Sequence, residues 1–98
     1  MLGPTFEEYR DQIAALLKQA HTMLKPGQLD RLGFAIRTTR RDGIDLSSFG
    51  KRAGAHSAPI GRRLLSLLAD ADRDLPPEQV TELEVLIRQR LETSPEQR

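Results

Sequence analysis

The chain has 98 residues, 38% of them hydrophobic and 30% charged, which predicts one small folded domain over residues 1–93 rather than a disordered chain. It contains no cysteine, which excludes a disulfide scaffold, a zinc–thiolate site and a thiol nucleophile. The formal net charge is +1, no apolar run approaches the roughly 18–20 residues of a membrane-spanning helix, and no signal-peptide pattern is present, so we expect a cytoplasmic protein.

The first predicted helix spans residues 6–24. Thr5 and Glu8 have the spacing of a capping box, in which each side chain accepts a hydrogen bond from the other residue's backbone N–H. The apolar residues that follow recur every three or four positions and therefore share one helical face: Phe6, Tyr9, Ile13, Leu16, Leu17, Ala20 and Leu24. The tripeptide Lys25-Pro26-Gly27 ends this helix.

The second predicted helix begins near Pro26, which suits a first helical turn, and ends at Asp42. Gly43 follows as a natural left-handed C-cap. The predicted buried face consists of Leu29, Leu32, Ile36 and Thr39. Phe34 points nearly opposite to that face at about 100° per residue, so the pattern predicts an aromatic side chain on the solvent side.

Residues 43–57 form the least regular stretch of the sequence. Ser47 or Ser48 can cap a short helix that runs through Ala53 and ends at Gly54. Glycines recur in this stretch and keep its backbone pliable.

The fourth predicted helix is capped by Ser57 and tolerates Pro59 in its first turn. Its apolar face, with Leu65 beside it, comprises Ile60, Leu64, Leu67, Leu68 and Ala71. The last helix follows Leu75-Pro76-Pro77, and its apolar face comprises Val80, Leu83, Ile87 and Leu91. Residues 94–98 are predicted to be a frayed tail or linker. Since no segment alternates with period two, we predict an all-α fold, a compact bundle of five to six helices.

Charge is distributed unevenly along this chain. Residues 31–63 carry eight basic and two acidic side chains, whereas residues 64–98 carry four basic and eight acidic ones. Such asymmetry is typical of a binding surface. The alternative is that the two regions partly neutralise each other within one fold.

The sequence offers little for catalysis, and we expect neither an enzyme nor a bound cofactor or metal. The two histidines, His21 and His56, lie on different elements, and His21 has no carboxylate three or four residues away. The glycine-rich stretch from Gly50 to Gly54 follows no strand, so it does not predict a phosphate-binding loop. We expect no small-molecule substrate and no membrane partner.

One hypothesis for function is nucleic-acid binding, because residues 48–64 loosely resemble a helix-turn-helix. Apolar residues stand where that motif needs them, and Gly54 stands at the turn. Arg62 and Arg63 would lie on the recognition helix, and Lys51 and Arg52 would hold phosphates. The segment departs from the motif at three kinds of position: Gly50 for the usual alanine, Arg63 at an apolar position, and Pro59 and Gly61 within the recognition helix.

The competing hypothesis is a protein-interaction domain. Phe34 is predicted on a solvent face, Leu65 lies off the centre of its helical face, and Val85 lies on the outer side of the last helix. Exposed large apolar groups surrounded by charge indicate a partner surface. The alternative is that Phe34 packs under a neighbouring helix or under residues 43–57.

The order of features resembles the death-fold superfamily, and especially its death-effector branch. Residues 6–17 resemble its first helix, residues 29–36 its second, and residues 61–91 its last two helices with their joining turn. That family carries a Phe-Leu pair on a surface patch of the second helix, where this sequence has Phe34 and Ala35.

The resemblance implies an adaptor that assembles through like-with-like contacts between a basic and an acidic face, with self-association or another protein as partner. The family's Arg-x-Asp-Leu ending reads Arg88-Gln89-Arg90-Leu91 here and lacks its acidic member. Phe34 would be the apolar anchor of the contact. The basic side would comprise Arg37, Arg40 and Arg41, and the acidic side Glu82 and Glu84. A contact between two different faces builds rings or filaments.

Overall fold

A computed structural model describes residues 5–43 and 46–92 of the chain. Within this part it forms five α-helices and no strand: α1 (Phe6–Met23), α2 (Pro26–Asp42), α3 (Leu46–Ala53), α4 (Ala58–Asp74) and α5 (Pro77–Leu91). The all-α prediction is confirmed, and the described residues form five helices. The predicted N-cap of α3 is wrong, because α3 begins at Leu46 and so contains both Ser47 and Ser48. The predicted tail, residues 94–98, lies outside the described residues.

Local sequence signals account for most of the helix ends. Thr5 Oγ1 accepts a hydrogen bond from the Glu8 backbone N–H at 3.2 Å, and Glu8 Oε1 accepts one from the Thr5 N–H at 2.8 Å, which is the predicted capping box. Gly43 ends α2 with φ of +72°, a left-handed conformation that favours glycine. Ser57 does occupy the N-cap of α4, but its side chain makes no capping hydrogen bond and is buried, which corrects the expected cap.

The helix α4 lies at the centre of the fold and contacts each of the other four helices. Apolar faces from all five elements meet there, and the largest fully buried apolar side chains are Ile13, Leu17, Leu32, Phe49, Leu64, Leu68, Leu83, Ile87 and Leu91. Leu65, which the sequence placed beside the apolar face, is only 6% exposed. Leu65 is buried because neighbouring helices cover a wider part of the circumference of α4 than its main apolar face alone.

A close contact between α3 and α4 depends on the absence of a side chain at Gly61. A Cβ atom at this position would lie 2.7 Å from Leu32 Cδ1 and closer still to the Phe49 ring. Phe49 is fully buried and therefore fills the space that Gly61 leaves open. This glycine thus lets α3 pack against the start of α4.

We expect Gly61→Ala to destabilise the fold by about 1–3 kcal/mol, because Phe49 and Leu32 must move to admit the methyl group. The matched control is Gly27→Ala in the first turn of α2, where a Cβ atom would meet nothing within 4 Å. That control should be neutral or slightly stabilising, since alanine lowers the entropy of the unfolded chain. Urea unfolding of the three proteins measures both effects, and equal stabilities would contradict the packing argument.

A hydrogen bond joins the start of α1 to the end of α4. Tyr9 Oη donates to Asp74 Oδ2 at 2.5 Å. Burial of the tyrosine, with help from the adjacent Asp74 carboxylate, raises the pKa of Tyr9 from 10.0 to about 12. The folded state therefore favours the neutral phenol more than the unfolded state does.

This shift predicts a loss of stability at alkaline pH. The contribution of Tyr9 is fully present below pH 10, where both states are neutral, and is lost as pH rises towards about 12, where only the unfolded chain ionises readily. The comparison is with Tyr9→Phe, which lacks the ionisable group. The stability advantage of the parent over this variant should shrink between these two pH values in denaturant unfolding, and a constant difference would be the contrary result.

Among the described helices, none combines the length and apolar character needed to cross a membrane.

Candidate interaction surfaces

The outer side of α2 carries an exposed aromatic residue followed by two arginines. Phe34 is 54% exposed, and Arg37 and Arg41 follow on the same helical face. We call these three residues the α2 face. Of the large apolar side chains in the described residues, only Phe34 and Met23, which is 58% exposed, are classed as exposed. The helical phase of α2 predicts the exposure of Phe34, and the alternative of packing under a neighbour does not apply.

Arg37 orders this face by contacts on two sides. Its guanidinium carbon lies 5.7 Å from the centre of the Phe34 ring, which is the distance of a cation–π contact. Its Nη1 atom also lies 3.3 Å from Glu92 Oε1 beyond the end of α5. Gly33 admits this approach, since a Cβ atom there would lie 2.9 Å from Glu92 Cγ. The carboxylate therefore holds the arginine that stacks on the exposed ring.

A groove of about 290 Å³ runs between α2 and α5 beside the α2 face. Its apolar lining comes from both helices and from the centre of the fold: Ile36, Leu68, Val85 and Ile87. Arginines border it on both sides: Arg37, Arg40 and Arg41 from α2, and Arg88 from α5. Val85, predicted on the outer side of the last helix, is half-buried at this groove. The surface is thus apolar at its base and basic at its edges.

One of these arginines joins three helices. Arg40 Nε donates to Glu84 Oε2 at 2.7 Å, and its two Nη atoms donate to the carboxylate of Asp72 at 2.8 and 3.1 Å. The Asp72 hydrogen bonds raise the pKa of Arg40, and the same bonds hold the pKa of Asp72 below its usual value. The cluster therefore remains charged at neutral pH and links α2 to α4 and α5.

This cluster corrects the expected division into a basic and an acidic side. Arg40 and Glu84 were expected on opposite faces of a contact between molecules, yet they bind each other within one chain. The reason is that α2 and α5 are neighbours in the fold. Arg37 and Arg41 remain exposed on the basic side, and Glu82 remains exposed on α5 without an ion pair among the described residues.

We expect Arg40→Ala to destabilise the fold by about 1–3 kcal/mol, because it leaves two carboxylates without their shared, partly buried cation. Arg41→Ala is the matched control, and since Arg41 pairs only with its exposed neighbour Asp42, its loss should change stability by less than about 0.5 kcal/mol. Chemical denaturation of both variants is the measurement. A smaller effect for Arg40 than for Arg41 would contradict the linking role.

A second surface lies on α3 and α4. Lys51 and Arg52 on α3, and Arg62 and Arg63 on α4, are all exposed. In residues 5–43 and 46–92, no carboxylate forms an ion pair with any of the four. We call these residues the basic surface.

The local fold here is two helices joined by a four-residue turn, residues 54–57, as the helix-turn-helix hypothesis expects. Gly54 begins the turn with φ of +93°, and the predicted apolar positions Phe49, Ala53 and Ile60 are buried. Arg31 on α2 donates to the Arg52 carbonyl oxygen at 2.7 Å and to the Lys51 carbonyl oxygen at 3.2 Å. The end of α3 is therefore capped by a side chain from another helix.

The start of α4 departs from a recognition helix. Its first residues include Ala58, Ile60 and Gly61, which are buried, so this turn does not project from the surface. Arg62 reaches back over α3, with Nη2 only 2.6 Å from where a Cβ atom of Gly50 would lie. Arg63 points to the other side and borders a depression shared with α1. The two arginines thus flank the exposed side of α4.

The histidines stay apart, as their positions in the sequence suggest. His21 Nε2 lies 2.7 Å from the Arg90 carbonyl oxygen and so joins the ends of α1 and α5. Within the described part of the chain, no group of three metal-ligating side chains comes together.

Three residues at these surfaces were not identified from the sequence: Arg31, Asp72 and Glu92. Each acts on a residue at least 20 positions away, and no local pattern marks such a contact.

No protein-family model, no curated protein and no solved structure matches this chain. The resemblance to the death-fold superfamily therefore rests on the order and spacing of residues alone.

Proposed function

We propose that the protein is a protein–protein interaction domain of the adaptor or assembly type, which docks through the α2 face. The observation that carries this proposal is the exposure of Phe34, with half of its surface in solvent and an ordered arginine stacked against it. Burying an aromatic side chain of this kind is a common source of binding energy at protein interfaces. The neighbouring apolar groove extends the same surface towards α5.

The partner that the charges favour is a second copy of this chain. The α2 face presents Arg37 and Arg41, and the outer side of α5 presents Glu78 and Glu82, one helical turn apart and both exposed. A basic face of one copy and an acidic face of the next are complementary. Because the two faces differ, the contact would repeat from copy to copy, as in the like-with-like assemblies of the death-fold superfamily.

The test of this proposal is Phe34→Asp, which places a charge at the centre of the α2 face. We expect self-association to weaken by about 30-fold or more, the loss that corresponds to a strong interface residue. The matched control is Met23→Asp, which charges an equally exposed apolar residue at the end of α1 and should associate like the parent. Sedimentation velocity over a concentration series measures both, and unfolding curves check that each variant is folded.

Charge reversal separates the proposed contact from a general effect of charge. Arg41→Glu and Glu82→Arg should each abolish assembly alone, yet a mixture of the two should form dimers. Arg41→Glu retains the acidic side on α5, and Glu82→Arg retains the basic side on α2. These two unchanged sides can still form one native contact between the two variants. A parent chain that stays monomeric throughout the series, or a mixture that does not pair, would contradict the contact between copies.

A further inference from the structure

We propose that the basic surface on α3 and α4 binds duplex nucleic acid through its phosphate backbone, without reading the base sequence. This surface is separate from the α2 face, and the inference does not depend on the proposed protein–protein contact. Four exposed cations project from two packed helices: Lys51, Arg52, Arg62 and Arg63. Cations that release counterions from phosphates supply most of the affinity of non-specific nucleic-acid binding.

Ion pairing distinguishes this surface from the arginines of the second half of α2. Three of those arginines have carboxylate partners in the structure: Glu92 for Arg37, Asp72 and Glu84 for Arg40, and Asp42 for Arg41. By contrast, no described carboxylate pairs with any member of the basic surface. A polyanion that binds here meets four cations that form no ion pair with the described carboxylates.

The basic surface is also held in place by contacts below it. Arg31 fixes the end of α3 by binding the carbonyl oxygens of Lys51 and Arg52, and so brings a fifth cation close to the surface. The Phe49 ring packs where Gly61 leaves room, which sets the distance between α3 and α4. The backbone that carries the cations is therefore held by packing and hydrogen bonds, which lowers the conformational entropy lost on binding.

Two observations favour the duplex backbone over base recognition or single strands. The first turn of α4 is largely buried, so it cannot enter a major groove as the start of a recognition helix does. Single-strand sites use exposed aromatic rings on which bases stack. The chain has four aromatic residues, and Phe49, which lies on α3, is fully buried, whereas exposed Phe34 lies on α2.

The experiment is fluorescence anisotropy of a short labelled DNA duplex titrated with the protein at several salt concentrations. Four phosphate contacts predict a slope of about −3.6 in log affinity against log salt, or roughly a hundredfold loss of affinity between about 50 and 200 mM salt. The double variants Lys51→Gln/Arg52→Gln and Arg62→Gln/Arg63→Gln should each reduce the slope to about −1.8 and weaken binding at low salt by about tenfold.

The matched control is Lys18→Gln/Arg90→Gln, which removes the same charge from exposed positions of α1 and α5, two helices that do not contact α3. This control should keep nearly the affinity and slope of the parent. The proposal is overturned if it weakens binding as much as the other two double variants. A tenfold difference in affinity between duplexes of different sequence would contradict binding through the phosphate backbone alone. Tighter binding of a single strand than of the duplex would contradict the duplex as the ligand. Equal competition by polyglutamate would indicate an acidic protein partner instead.

Discussion

The packing of the other helices against α2 and α4, which each contact all the rest, is the constraint on which the rest of the structure depends. A chain of this length has one core, and the apolar faces of all five helices meet in it, so each helix is positioned by how it packs against the others. Gly61 is the tightest point of that packing, because the Phe49 ring occupies the volume of the missing side chain. The short helix α3, which has few residues of its own to bury, is anchored there.

The same packing decides which charges are available to a partner. Because α2 lies against α4 and α5, the carboxylates of the acidic C-terminal third reach the arginines of α2. Arg40 consequently becomes a structural residue rather than a surface cation. The cations of α3 and of the start of α4 are exposed and form no ion pair with the described carboxylates. The net charge of +1 does not indicate this separation of paired and unpaired cations, because the basic and acidic residues of the chain nearly cancel in the sum.

The result is a small domain with two surfaces of different character. The α2 face combines an exposed aromatic ring with an apolar groove and an ordered arginine, features that suit a protein partner. The basic surface has cations on two packed helices and no exposed aromatic residue of its own, features that suit a phosphate backbone. Since α3 does not contact α5, the two proposed roles can be tested by variants that do not share residues.

The sequence by itself determined the helices and the ends marked by the Thr5–Glu8 capping box and by Gly43, because capping residues and apolar periodicity act over three or four positions. The same periodicity favoured the exposure of Phe34, and the structure decided it against burial under a neighbour. It also located the turn at Gly54 and the buried positions Phe49 and Ile60 around it. Only the tertiary structure decided that Arg40 pairs with Glu84 and Asp72, that Arg31 caps α3, and that the first turn of α4 is buried. Those contacts join residues far apart in the chain, and they depend on which helices become neighbours, which periodicity along one helix does not specify.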